Sequence, residues 1–538
     1  MSPSAEERST GAGEERPVGE QAMNEGRLKS WMTRWGRVAA ALVIFALFVA
    51  HALSYRFIND DAFISFRYSE NWALQGAPVY NLGDPVEGYT NFLWVALIAL
   101  AMKLSFEPIW ASQMMGIGFA AGTIALIFWW GPRAKSPEGE PLLSQREAGV
   151  ASLLLALAPA YACWSTGGLE TQAFTFFCTA ALLTYFAGGR ARLLSGLLLA
   201  LAAMTRPEGL LLFGLVGLFR LIKLIRERAR PVALDWGWGF AFALVYLPYF
   251  IWRWRYYGYP LPNTYYVKSG ASGAWQPGLR YLWSWVEVHG LYWAPLLLII
   301  DQRRRVGWGL CLTFILAMSL HIVRVGGDFM TLHRFFVPVM PALALLLAGP
   351  IARLIEKSAA LKGTGRGALA LTLILLVAWQ LVTTQQRAFK VGSDRGVDSI
   401  GWLDQFAGQC KAIGEWIREN TPPEATLATT AAGTIPFYAQ RETLDLLGLN
   451  DEWIAHKVPP RGNRPGHTKS APFDYPLRKK IDYLIYHPTI SDRPPPAPRG
   501  LARALKARGY RWERHKIPGM HPQWWGVWRR VGAPERQR

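Results

Sequence analysis

Long apolar runs, separated by short polar and basic connections, fill the chain from residue 37 to residue 384. Runs such as VAAALVIFALFVA, ASLLLALAPAYA and ALALTLILLVAW carry no charge. A membrane-spanning helix needs about 20 mainly apolar residues. Candidate stretches fall at 37–54, 91–104, 109–130, 147–162, 170–187, 191–205, 208–225, 236–254, 287–301, 306–323, 335–356 and 367–384. Basic clusters stand in every second connection from residue 131 onward, among them Arg133/Lys135, Arg190/Arg192, Arg226/Arg228/Arg230 and Arg303/Arg304/Arg305. That alternation is the positive-inside pattern. It fails near the start if 91–104 crosses the membrane, and this stretch is short and ends at Lys103. The pattern therefore predicts a polytopic α-helical membrane protein of about 11 transmembrane helices. Residues 91–104 form a juxtamembrane or re-entrant helix within an external loop, 55–108.

Beyond residue 384 the composition shifts toward Pro, Arg and Trp. Short strand-like runs (ATLATT, IDYLIYHP, WGVWRRV) and helical patterns at 402–419 and 500–508 predict an extracytoplasmic α/β domain over 385–538. Trp524 and Trp525 fit either carbohydrate stacking or an interfacial position. At the other end, residues 1–28, rich in Glu, Ser and Gly, are expected to form a disordered cytoplasmic tail. The first apolar run follows a long polar leader without a small-residue cleavage site and does not read as a signal peptide.

The net charge of +20 changes this picture little. Most basic residues lie between apolar segments, so membrane orientation explains them without nucleic acid. The four cysteines show neither CxxC spacing nor a disulfide framework. No Walker loop or zinc-ligand spacing is present. A divalent cation beside the acids is compatible with the pattern but not required, and no metal ligand is assigned.

With this orientation the polar residues converge on the outer face. Asp60 and Asp61 open a helical pattern in NDDAFISFRYSENWA and fit either capping, with Asn59 as the cap, or a general base. The segment VEGYTNFLW places Glu87, Tyr89 and Asn91 before an apolar helix. With Arg67 and Glu170 they are candidates for holding sugar hydroxyls, or alternatively a helix start with interfacial aromatics. YGYPLPNTYYVK contributes Lys268 and also Asn263, which with Asp328 of a later segment is a further substrate-binding candidate. VRVGGDFMTLHRFFVP contributes Arg324, Asp328, His333 and Arg334, and TRPEG contributes Arg206. Lys268, Arg206, Arg324, His333 and Arg334 suit a lipid-linked phosphate, whose departing charge needs fixed donors. Their bland reading is snorkelling or helix anchoring.

NDDAFISFRYSENWALQGAPVYNLGDPVEGYTNFLW resembles the first external loop of GT-C glycosyltransferases, which use polyprenyl-phosphate sugars. PNTYYVK, GGDFMTLHRFFVPVMP and AAGTIPFYAQRETLDLLGLND are similar to later blocks of the terminal β-(1→2)-arabinofuranosyltransferase family. The resemblance spans most of residues 55–455. It implies a GT-C-like transmembrane catalytic domain over 29–384, with Asp60 as catalytic base and Asp61 its close competitor. It also implies a second external acid at Glu170 and a juxtamembrane helix in the first loop. The implied reaction is inverting transfer of a sugar, such as a pentofuranose, from a polyprenyl-phosphate donor to a glycan, lipid or protein acceptor at the cell envelope. The rival readings are a lipid-linked sugar transporter or flippase, which expects charge near the bilayer midplane, and a non-catalytic glycan-binding membrane protein.

Overall fold

In the computed structural model, which describes residues 18–534 apart from 137, 269–273, 301–307, 360–363, 391, 395–396 and 462–467, nearly every apolar run is a helix. The first is α1 (Val18–Ser54), followed by α2 (Asp60–Gln75), α3 (Phe92–Lys103) and α4 (Pro108–Ala125). A π-helical turn at Leu126–Trp130 continues α4. Then come α5 (Gln145–Ala156), α6 (Pro159–Cys163), α7 (Thr171–Ala187), α8 (Ala191–Thr205), α9 (Glu208–Glu227) and α10 (Ala233–Tyr257). After them stand α11 (Asn263–Lys268), α12 (Trp275–Val288), α13 (Ala294–Ile300), α14 (Trp308–Val325), α15 (Met340–Ala359) and α16 (Thr364–Phe389).

Three expectations are corrected. The part of the expected disordered tail over 18–28 is helical, because Gln, Glu, Ala, Met and Leu there favour a helix that α1 propagates; residues 1–17 lie outside the described residues. The expected single segment 147–162 is broken. Ala158 is extended (φ −80°, ψ 115°) before Pro159, as a residue preceding proline tends to be. The expected stretch 287–301 is the end of α12, a turn and the seven-residue α13.

Among the described residues, five helices are long and apolar enough to cross a membrane by length and composition: Trp35–Ser54, Pro108–Trp130, Ala233–Tyr257, Trp308–Val325 and Thr331–Ser358. Shorter apolar helices stand at Phe92–Lys103, Thr171–Ala187 and Ala191–Thr205. The bundle's core is rich in aromatic and small residues, among them Phe48, Tyr161, Trp164, Phe174 and Ala200. Apolar side chains of α9, α10 and α14, such as Leu218, Phe240, Leu244 and Leu316, are bare on the outside. An apolar surface of that extent matches a lipid environment, and the chain is a multi-pass membrane protein.

The region after α16 begins with a small hairpin of β1 (Ser393–Asp394) and β2 (Val397–Asp398) and helix α17 (Ile400–Asn420). It continues through β3 (Leu427–Thr429), α18 (Thr434–Ala439), β4 (Thr443–Asp445), α19 (Glu452–Lys457) and α20 (Asp474–Arg478). The last elements are β5 (Tyr483–Ser491), α21 (Arg499–Ala507), β6 (Tyr510–Lys516) and β7 (Trp524–Arg530). Five strands form one mixed sheet in the order β4-β3-β5-β7-β6. Its β4, β3 and β5 run parallel, whereas β7 is antiparallel to β5 and β6. The three strand-like runs in the sequence are β3, β5 and β7, and the two helical patterns are α17 and α21. Trp525 is fully buried in the core beneath the sheet, so its role is packing.

Candidate active site

Asn59 caps α2, its Oδ1 accepting the Ala62 N–H at 3.2 Å, which places Asp60 and Asp61 in the first turn where the helix dipole favours them. The Asp60 carboxylate reaches across to the C-terminal domain. Its Oδ1 accepts the Thr434 N–H at 2.8 Å and its Oδ2 the Gly433 N–H at 3.2 Å. The free amides at the start of α18 thus grip the acid. Burial pushes Asp60 up to about 6, aided by the charge of Asp61, against the pull of the Thr434 and Gly433 hydrogen bonds. A Cβ on Gly433 would lie 1.8 Å from the Asp60 carbonyl oxygen, so only glycine permits this approach.

Between one end of the bundle and the C-terminal domain lies a cavity of about 1710 Å³. Seven of the residues singled out from the sequence line it: Asp60, Asp61, Arg206, Lys268, Arg324, Asp328 and Arg334. Arg206 donates to Glu170 at 2.9 Å and to Glu208 at 3.1 Å. Arg334 donates to Asp328 at 2.8 Å. Both guanidinium groups sit 5.1 Å from the ring centre of Phe335, so one aromatic ring carries two arginines.

The chain reaches Asp328 through Gly326 and Gly327, both at positive φ (90° and 82°). Leu332 and His333 follow in the left-handed region at φ 51° and 54°. Two such non-glycine residues in a row store on the order of 1–3 kcal/mol each, and they deliver Arg334 to the cavity.

Lys268 ends α11, which the Asn263 side chain ties to the C-terminal domain through the carbonyls of Gly448 and Leu449, each at 2.9 Å. Although enclosed by protein, the Lys268 side chain is open to the cavity. Burial lowers its amine; Asp61 and Asp328 oppose that, and Arg334 and Arg206 reinforce it. The charges acting on Lys268 are therefore the others proposed for this site, which gather about one place. Lys268 and Arg324 have no carboxylate at ion-pair distance among the described residues, whereas Arg206 and Arg334 are already neutralised.

The remaining candidates do not line the cavity. Arg67 is buried and donates to the carbonyls of Tyr80, Pro436 and Arg441 and to Asn81. Glu87 forms a buried ion pair with Arg253 at 2.9 Å, and burial raises it to about 8 in spite of that arginine. Tyr89 bonds Tyr257 at 3.0 Å. Asn91 donates to Glu170 at 2.9 Å, so both act behind Arg206. His333 bonds Ser284 at 3.1 Å and packs beside Tyr281 and His289. Buried polar groups are usually satisfied within the protein, and these residues hold the walls in place.

Sequence reasoning placed Glu208 on the same face without giving it a role and did not single out His321, Trp275, Asp398, Trp402, Phe406 or His487, all of which also line the cavity. Glu208 adjoins Arg206 in TRPEG, and that adjacency was the available signal. Trp402 and Phe406 share a helix face at i, i+4, but nothing local shows that this face meets the bundle. Among the described residues no group of three or more His, Cys, Asp or Glu side chains is placed to hold a metal ion.

The membrane fold is GT-C-like: the structure aligns with ArnT from Cupriavidus metallidurans bound to undecaprenyl phosphate at a TM-score of 0.57, with 15% identity, over 94% of this chain and 99% of that one. The chain is similar in sequence to the terminal β-(1→2)-arabinofuranosyltransferase of Corynebacterium glutamicum, 25% identical over 351 residues, covering 55% of this chain and 48% of the relative. A protein of the same description from Mycobacterium tuberculosis is 26% identical over 363 residues, covering 59% of this chain and 56% of its own length. The chain thus spans about half the length of the curated relatives it matches. Residues 401–532 match a family described as a domain of unknown function (DUF8728).

Proposed function

We propose that this chain is an inverting glycosyltransferase that moves a sugar from a polyprenyl-phosphate donor to an acceptor hydroxyl at the extracytoplasmic face of the membrane. The observation that carries the reading is the single cavity in which Asp60 and Asp61 face Lys268, Arg324 and the two paired arginines. Asp60 takes the proton of the acceptor hydroxyl. The hydroxyl oxygen bonds to the anomeric carbon as the bond from that carbon to the phosphate oxygen breaks, and the electron pair leaves with the phosphate. Its charge falls to Lys268 and Arg324, whose positive charge is the least neutralised, with Arg206 and Arg334 positioned beside them. Two features support Asp60 over Asp61. Its carboxylate is oriented by fixed amides, and its affinity for a proton is raised toward the range a base needs at neutral pH.

The sugar is a pentofuranose, by likeness to the curated relatives. A cytoplasmic N-terminus and an outer C-terminal domain complete the reading. Helix α3, with 12 residues, is about 18 Å long, well below the hydrocarbon thickness of about 30 Å, which supports its reading as a juxtamembrane helix of the first external loop. The transporter alternative is disfavoured because Arg206 precedes α9 and Arg324 lies in the last turn of α14. These are helix ends, not the middle of a span.

Transfer of radiolabelled sugar from a panel of polyprenyl-phosphate sugars into a cell-envelope fraction tests the reading; no transfer from any donor would refute it. Lys268→Ala should weaken undecaprenyl-phosphate binding about 10- to 100-fold, the worth of one charge-assisted hydrogen bond of about 1.5–3 kcal/mol, as measured by titration into the detergent-solubilised protein. Gly433→Ala should lower the transfer rate about 100-fold, since a shift near 1 Å in a reacting group has that effect, with lipid-phosphate binding retained.

A further inference from the structure

The C-terminal domain meets the cavity with a particular part of its sheet. In the order β4-β3-β5 the chain passes from β3 to β4 on one side and later returns to β5 on the other. Sheets with parallel strands bind ligands in the crevice outside the carboxyl ends of the strands, at the point where the order reverses. Here that point lies between β3 and β5: Thr430 follows the end of β3, His487 follows the last residue of β5 that pairs with β3, and both line the cavity.

The backbone is adapted at this point. The pairing of β3 with β5 shifts register after Ala428, and β5 is irregular against β7 between Leu484 and Thr489. Tyr486 has φ 55°, and its carbonyl accepts from the Thr430 N–H at 2.9 Å and from the Thr429 hydroxyl at 3.0 Å. Bulges of this kind re-aim the neighbouring side chain. His487 is turned onto Phe406, with ring centres 5.4 Å apart and planes 7° from parallel. Trp402 continues the row at 6.1 Å and 20°.

We propose that this crevice is the subsite for a terminal sugar ring of the acceptor glycan. The C–H face of the ring packs against Trp402 and Phe406, and its hydroxyls hydrogen-bond His487 and Thr430. The inference rests on the glycosyltransferase reading and adds what it lacks, a place for the acceptor on the wall formed by the C-terminal domain. Aromatic surface with a few convergent polar groups is how concave sites orient small ligands.

The test uses the full chain in nanodiscs and two separate titrations. One uses oligosaccharides ending in arabinofuranose, galactofuranose or mannopyranose; the other uses undecaprenyl phosphate. At least one oligosaccharide should bind, and Phe406→Leu and His487→Ala should each weaken it tenfold or more while leaving undecaprenyl-phosphate affinity unchanged. Absence of oligosaccharide binding, or equal affinity in wild type and His487→Ala, overturns the subsite. Should Phe406→Leu lose both ligands, it has misfolded, and the exposed His487 decides alone. Failure of the wild type to bind undecaprenyl phosphate would instead refute the lipid-donor reading, with the oligosaccharide titration still deciding the subsite.

Discussion

Asp60→Asn should reduce sugar transfer by about 10²–10⁴-fold, the usual worth of a positioned general base. The substitution preserves shape but removes the proton acceptor. It also turns an amide nitrogen toward one of the two N–H donors at Gly433 and Thr434, so undecaprenyl-phosphate binding must be measured alongside as the check on folding. Asp61→Asn should have a smaller effect, expressed through Lys268, on which the Asp61 charge acts. Full activity in Asp60→Asn with loss in Asp61→Asn would exchange the two assignments. The pH profile gives an independent reading. A base raised to about 6 is protonated as pH falls through that value, so kcat should drop tenfold per unit on the acid side. The residual activity of Asp60→Asn should lack that limb.

The second large effect is expected away from the chemistry. Arg67→Met should lower stability by about 3 kcal/mol or more and loosen the C-terminal domain from the bundle. The guanidinium makes four hydrogen bonds, three of them to backbone carbonyls, and lies 4.6 Å from the ring centre of Tyr80. Hydrogen bonds to a charged group contribute about 1.5–3 kcal/mol each, and the desolvation of the buried charge offsets part of that sum. Thermal unfolding in detergent and proteolysis of the α16–α17 connection should both report the change. A variant as stable and as protease-resistant as wild type would show that Arg67 is not the tether.

These two residues show where sequence reading succeeds and where it stops. Asp60 announces itself because two adjacent acids at the end of an apolar run are rare, and a helix start explains only part of their presence. Arg67, Glu87 and Tyr89 look equally polar and equally placed, yet they are spent on carbonyls, Arg253 and Tyr257. Whether a polar side chain serves a ligand or a neighbouring segment depends on contacts hundreds of residues away, which no local pattern contains. The same limit applies to the strands. The runs that became β3, β5 and β7 are apolar enough to stand out. Thr443–Asp445 (TLD) ends on an acid after a polar stretch, and β6 (YRWERHK) is an edge strand with exposed charges along it, so neither looks like a strand in isolation. The membrane helices were readable because lipid demands length and apolarity together, whereas the break at Pro159 lay inside a run whose apolarity outweighed the proline that marks it.

The grip of Gly433 and Thr434 on Asp60 joins residues 373 and 374 positions apart. Ribosomes deliver the acid early and its holders late. A chain halted before residue 433 would carry the carboxylate without the amides that aim it.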